Sequence, residues 1–386
     1  MISTDSRRGR AALMVAHCAG MVDLVALPVW VGTLVQAYRL DPQQAGLLAT
    51  LFLAGAVMAS LTLAPRFHRT PARPVATIGF ALAAGAFALA AASRDFALLA
   101  VLHAGAGLSA GAALSVTHGT IGRSARPHRL FALVGMSLGV FAIVFLGSTP
   151  PLVAAFGGAT LFVAFAGVMA IAAAVCAAWF PGSQAGPAAS AAASERPARM
   201  SPTAWFGIVG IGCMALVQAM TFSFLERVGM DRGFGLAAIT GVLVALGVVN
   251  LFPAALAALL ERRWSARAVL LAGPVVQAGL AMVIMNAAHF VPYAIAAAVF
   301  AAVMIFTHTF GFGLLSRLDA SGRALAATPA MLMVGAALGP IVGGTLVKSH
   351  GYGSLGLAAV VIATVAVGCF LRLPSAARPS VQEATA

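Results

Sequence analysis

The chain has 386 residues, of which 61% are hydrophobic and 9% charged, with a formal charge of +13 and a mean hydropathy of +0.99. Soluble domains carry about a quarter charged residues, so this composition excludes a soluble enzyme or binding module and leaves an integral membrane protein. The basic excess does not indicate nucleic-acid binding, because the arginines are scattered over many short polar segments instead of forming one basic face.

A membrane span satisfies its own backbone only as a helix or in a closed barrel, and a helix needs about 20 apolar residues to cross. The apolar runs here are long and continuous, without the two-residue alternation of barrel strands, so helices are expected. Twelve runs follow in order: 11–37, 45–64, 74–93, 96–121, 130–154, 158–180, 203–225, 235–260, 267–288, 291–315, 325–347 and 353–373. Arg7, Arg8 and Arg10 precede a first run that is too long for a signal-peptide core and contains Asp23, which predicts an uncleaved first helix.

With the N-terminus in the cytoplasm and alternating helices, only Arg39, Arg94, Arg227, Arg232 and Lys348 fall outside, leaving the other 18 of the 23 basic residues inside. That bias predicts cytoplasmic termini and an even number of helices, in the inner (plasma) membrane of a bacterial cell.

The longest polar interruption, 181–202, is rich in Pro, Ala and Ser, as flexible linkers are. It divides the chain into an N-terminal six-helix bundle (1–180) and a C-terminal one (203–386) with a short cytoplasmic tail. An offset of 194 carries Arg69 to Arg263, Arg73 to Arg267, Gly79 to Gly273, Gly119 to Gly313 and Arg123 to Arg317. Matching residues at equivalent loops and helix starts indicate an internal parallel repeat. The expected fold is an all-α membrane protein of twelve transmembrane helices in two pseudo-symmetric six-helix bundles.

Over essentially its whole length the chain resembles the major facilitator superfamily. The loop after the family's second helix reads Gly-x-x-x-Asp-Arg-x-Gly-Arg. Here Ala64-Pro65-Arg66-Phe67-His68-Arg69 is similar in its arginines, with Pro65 in place of the acid and His68 in place of the glycine. Leu260-Glu261-Arg262-Arg263, after helix eight, keeps an acid–base pair. The resemblance implies gating roles for Arg66, Arg69, Arg73, Glu261 and Arg262. On helix eleven, Gly335-x-x-x-Gly339-Pro340-x-x-Gly343-Gly344 allows close helix approach and a bend, making Gly339 and Pro340 further gating candidates. In the family's antiporters a similar pattern lies on helix five, where this chain has Gly135 and Gly139 but no Gly-Pro pair.

The resemblance also implies that helices 1, 4, 7 and 10 line the transport pathway. The intramembrane polar residues fall on that set: His17 and Asp23 on helix 1, His103 and His118 on helix 4, Gln218 on helix 7 and His308 on helix 10. Gln277 on helix 9 and Asn250 on helix 8 are the exceptions. Asp23 lies about 18 Å into helix 1, near mid-depth. A charge there costs roughly 2.5 to 3.5 kcal/mol on insertion scales, and such residues usually face a cavity where they have a function. Asp23 is therefore the expected proton-coupling residue, with Glu226 and His17 as further candidates. Six residues separate His17 from Asp23, about 120° apart around the helix, so they are not expected to pair directly. Trp30, His103, Gln218, Phe222, Phe306, His308 and Phe310 are expected to contact substrate.

The sequence contains no phosphate-cradling Gly-Lys loop and no His/Cys/carboxylate cluster at metal spacing, so neither cofactor nor metal is expected. Cys18, Cys176, Cys213 and Cys369 fall in four different runs, which indicates no disulfide framework. No Lys or Arg lies deep in a run, which favours a neutral or cationic, fairly apolar solute over an anion. The reading is a monomeric carrier for a small molecule, exporting it in exchange for protons as drug:proton antiporters do, with the lipid bilayer as its surroundings. The alternative is proton symport of a small metabolite such as an organic acid. More remote are a membrane sensor and an intramembrane hydrolase using Ser109 or Ser115 with His308.

Overall fold

The computed structural model describes residues 2–63, 66, 70–182, 202–261, 263–318 and 323–374, and no strand occurs among them. Fourteen helices follow one another: α1 (Arg7–Gly20), α2 (Val22–Ala37), α3 (Pro42–Leu63), α4 (Ala72–Ala92), α5 (Phe96–Gly122), α6 (Pro127–Phe156), α7 (Ala159–Trp179), α8 (Pro202–Asp231), α9 (Leu236–Val249), α10 (Pro253–Leu260), α11 (Ala266–Asn286), α12 (Phe290–Leu318), α13 (Arg323–His350) and α14 (Gly353–Leu371). They make 12 spans long and apolar enough to cross a bilayer, the first built from α1 with α2 and the eighth from α9 with α10. The expected linker falls, at 183–201, outside the described residues.

Local chemistry sets the helix starts. Asp95 accepts from the Leu98 N–H at 2.7 Å to cap α5, and Ser6 accepts from the Gly9 N–H at 3.0 Å to cap α1. Pro127 and Pro253 occupy first-turn positions of α6 and α10, where a missing N–H costs nothing. At the head of α3, Asp41 accepts from the Gln44 N–H at 2.9 Å while the Gln44 side chain accepts from the Asp41 N–H at 3.2 Å, a reciprocal capping box.

The 194-residue offset recurs in three dimensions. α4 shifted by 194 gives the bounds of α11, and the end of α6 at Phe156 maps onto the end of α13 at His350. The Arg73 guanidinium donates to the Ala177 carbonyl, joining the start of α4 to the end of α7; at the shifted positions Arg267 donates to the Leu371 carbonyl at 3.2 Å. Gly79 packs on Ala113, and its counterpart Gly273 on Thr307.

Candidate functional site

The first span changes direction at Met21, whose backbone leaves helical geometry (φ −108°, ψ 18°) between α1 and α2. Below the break, α1 packs on α5, α6 and α7; above it, α2 also reaches α8 of the second six spans. Asp23 lies in the first turn of α2, where the span starts to cross from one set of helices to the other. One of its carboxyl oxygens, Oδ1, is enclosed and has no hydrogen-bond partner. Beside it, Leu24 is 44% exposed although 11 of the 16 residues of α2 are buried. Four residues on, Pro28 supplies no N–H, so the Leu24 carbonyl also lacks its helical donor. Two acceptors without donors, one residue apart, can take a proton, a cation or a donor group.

The two sets of helices meet most closely at the end of the molecule that carries Asp41, through α2 on α8 and α3 on α13. At the first contact the Glu226 carboxyl presses on Gly32 and is 8% exposed. Its neighbours form a separate network: Arg227 pairs with Asp231 at 2.7 Å, the Tyr352 hydroxyl donates to Asp231 at 2.5 Å, and Arg232 donates to the Ile284 carbonyl at 2.9 Å. Glu226 lies beside this network, within electrostatic reach of Arg227 and Asp231. At the second contact Pro340 denies α13 one hydrogen bond, and Thr50 of α3 occupies the next. Its hydroxyl accepts from the Ile341 N–H at 3.1 Å and donates to the Ala337 carbonyl at 2.7 Å, standing between two groups that would otherwise bond each other. Gly46 lies on the Pro340 carbonyl and Gly344 on that of Pro42. Outermost, the Lys348 ammonium lies 2.9 Å from Asp41 Oδ2. Burial works against the Asp41 carboxylate, but the Gln44 and Gln43 N–H groups and Lys348 outweigh it and hold the carboxyl below the usual range. Away from this end, α6 crosses α9, with Gly139 and Gly147 on Leu251 and Val244.

Among the described residues the two sets of six spans thus meet through α3 on α13, α6 on α9 and α2 on α8. Residues 12–321 match the family model described as Major Facilitator Superfamily. The chain belongs to that superfamily. As a member it is a multi-pass transporter. The nucleoside transporter NupG superposes with a TM-score of 0.70 at 13% identity, over 95% of this chain and 98% of that one. A bacterial homologue of the human lysosomal transporter Spinster, inward-facing and unoccupied, superposes at 0.67 with 14% identity, over 95% of each chain. These likenesses establish the shared fold. No curated protein matches the sequence significantly.

In this superfamily member the expected substrate residues disperse. Trp30 and His103 are both 0% exposed, and Trp30 is ringed by Phe52, Phe87, His103 and Phe165 with centroids 4.8 to 6.1 Å away. The two therefore lie in the core of the first six spans, with Trp30 Nε1 and His103 Nε2 enclosed and without a hydrogen-bond partner. Gln218 accepts at 3.1 Å from Gln277, which also donates to the Met214 carbonyl; the polar residue that looked misplaced on helix 9 is thus an internal partner of helix 7. Phe222 packs on Phe300 at 5.7 Å. Along α12, Phe306 and Phe310 share one face with centroids 5.1 Å apart and pack toward Trp264 and Ala257. His308, about 200° round from each, shares the other face with Phe312. It is half-buried, its Nδ1 has no partner, and among the described residues no serine hydrogen-bonds to it, so the hydrolase pairing is not formed.

His17 meets His118 instead of Asp23, with Nδ1 and Nε2 3.0 Å apart, tying α1 to α5. Of the gating candidates, Arg66 caps the end of α3 through the Thr62 carbonyl at 2.8 Å, Arg73 ties α4 to α7, and Glu261 ends α10. Arg69 and Arg262 lie outside the described residues. Gly339 packs on Ala219 and Met220, inside the second six spans, whereas Pro340 touches α3 across the interface. Among the described residues no three His, Cys, Asp or Glu side chains gather as metal ligands.

Proposed function

We propose that this superfamily member is a proton-coupled exporter of a small, fairly apolar, neutral or cationic solute, with Asp23 as the coupling carboxyl. The observation that carries the reading is the enclosed, unpartnered Asp23 oxygen at the point where the first span turns from its own bundle to the opposite one. A carboxyl so placed changes its surroundings whenever the two bundles rock, which is what coupling a proton to alternating access requires.

On the charge distribution of the loops, the Asp41 end faces outward, so the conformation described is closed to the outside. Glu226, sealed against Gly32 on that closed side, becomes hydrated when the outside opens and is the second proton site of this reading. His17, bonded to His118 about 9 Å below Asp23, provides a donor–acceptor pair toward the inside. His308 supplies the substrate wall of this reading, with Gln218 and Phe222 as further contacts. The absence of Lys or Arg within the spans around Asp23 supports a neutral or cationic solute.

The test is a binding screen on purified protein at pH 6 and pH 8, using tetraphenylphosphonium and a panel of neutral aromatic compounds, with proton release recorded on binding. The wild type releases protons as ligand binds. Asp23→Asn binds without release, and in proteoliposomes it keeps counterflow but loses accumulation driven by a pH gradient. Undiminished pH-driven transport by Asp23→Asn would overturn the assignment, and proton-driven uptake in place of extrusion would turn it into symport.

A further inference from the structure

A cavity of about 270 Å³ opens at the end of the molecule opposite Asp41, between the segment leading into α1 and the start of α6. Its rim holds Arg10, Arg126, Arg129 and Asp5, and its floor includes Leu133 and Met136. Arg10 is fixed by its own loop, donating from Nε to the Asp5 carbonyl at 2.9 Å. Among the described residues, no hydrogen bond or ion pair engages the Arg126 or Arg129 guanidinium or the Asp5 carboxylate. Three cations and one carboxylate leave the rim with a net charge of +2. Neighbouring cations confined in one cleft attract a di-oxygen anion, which arginine holds in a bidentate grip.

The floor identifies what carries that anion. Arg129 begins the apolar span that ends at Phe156, and Met136 is 60% exposed on it. Seven residues of helix separate the two by about 10 Å. The headgroup layer of a bilayer is roughly 5 to 8 Å deep on each side, so guanidinium groups at the span's end sit at phosphate level while Met136 lies among acyl chains. A soluble phosphate ester would have no use for that floor. The Asp5 carboxylate would repel a bare phosphate but accepts hydrogen bonds from hydroxyls, as a glycerol headgroup presents.

We propose that this cleft is a binding site for an anionic phospholipid with a hydroxylated headgroup, of the phosphatidylglycerol type, whose phosphodiester lies on Arg126, Arg129 and Arg10 and whose acyl chains run over Leu133 and Met136. The bound lipid joins α1 to α6, and α6 is a helix that contacts the opposite bundle. This site owes nothing to the identity of the transported solute.

Native mass spectrometry of the full-length protein in detergent tests it, with phosphatidylglycerol, phosphatidylcholine and glycerol 3-phosphate titrated separately. Each basic residue near a membrane surface contributes on the order of a five-fold gain in affinity for anionic lipid, so R126Q with R129Q together weaken phosphatidylglycerol binding about 30-fold. Phosphatidylcholine binds wild type and variant alike. Should the double variant fold poorly, R129Q alone lowers the affinity about five-fold. Equal phosphatidylglycerol binding by wild type and variants overturns the site. Displacement of phosphatidylglycerol by glycerol 3-phosphate at comparable concentration overturns the lipid and assigns the cleft to a soluble phosphate ester.

Discussion

Replacing Thr50 by valine removes a hydroxyl while keeping its shape and volume. In the conformation described, that hydroxyl makes two hydrogen bonds across the interface, to the Ile341 N–H and the Ala337 carbonyl, and both must break for the Asp41 end to open. Side-chain hydrogen bonds between membrane helices average about 0.6 kcal/mol, and the general range for a net bond reaches about 1 kcal/mol. Two bonds therefore favour closure of the Asp41 end by about 1 to 2 kcal/mol, or about 5- to 30-fold in population. The lower figure applies if Ile341 and Ala337 re-form their own helical bond once the intruding hydroxyl is gone. Spin labels at Arg39 and Ser349, on opposite sides of that end, report the shift by electron–electron double resonance. Thr50→Val moves weight from short to long distances, and Thr50→Ser, which keeps the hydroxyl, leaves the distribution near that of wild type. If valine leaves the distances unchanged, or serine opens the end as far as valine does, the bridge does not hold it shut.

Glycine contacts at the same interface make a sharper test: a Cβ at Gly46 or Gly344 would overlap the backbone of the facing helix, whereas Gly85 and Gly279 have nothing within 4 Å. Gly46→Ala and Gly344→Ala should lengthen the same label distances while Gly85→Ala and Gly279→Ala do not, and equal behaviour of all four would refute the close approach. The Asp41 carboxyl is held below its ordinary value of about 3.9, so its contribution to closure is complete above that pH and fades as pH falls through the lowered value. Closure is accordingly constant from pH 6 to pH 8 and weakens below about 4, with Asp41→Asn reproducing the acid effect at pH 7; a midpoint near neutrality in the wild-type distances would contradict this. High salt weakens the same pair, since both side chains are partly solvated. Loss of the Arg267 tie to Leu371 is expected to lower thermal stability by an amount close to that for Arg73→Ala, because the two bonds are equivalent under the repeat. Unequal melting shifts for the two variants would show that the halves do not share that brace.

The fold was legible because membrane helices announce themselves by length and composition, and because the repeat carried Arg and Gly to equivalent positions that turn out to make equivalent contacts. The breaks were not legible in the same way. Met21 has no helix-breaking side chain, and its departure from helical geometry follows from packing the two ends of one span against different bundles. Asn250 followed by Pro253 did carry a turn signal, but within a continuous apolar run it was absorbed into a single helix. The pattern of polar residues on helices 1, 4, 7 and 10 names spans, and only packing shows which side of a span each residue occupies. Trp30 and His103 lie on α2 and α5 yet point into their own bundle, and Phe306 and Phe310 lie on the far side of α12 from His308. One turn of helix separates a wall from a core, and hydropathy does not encode it. Thr50 escaped notice because an intramembrane threonine ordinarily bonds its own helix, and only the Pro340 distortion in another helix gives it a second use.

The interruption at Asn250 to Phe252 between α9 and α10 has no counterpart in the first half, where α3 runs unbroken through the equivalent Ala56 to Met58. Conversely, α8 continues through the position that matches the kink at Met21. The two repeats thus break their helices in different places. Exchanging the two sets of six spans would therefore not regenerate the same molecule, because each set bends where the other runs straight.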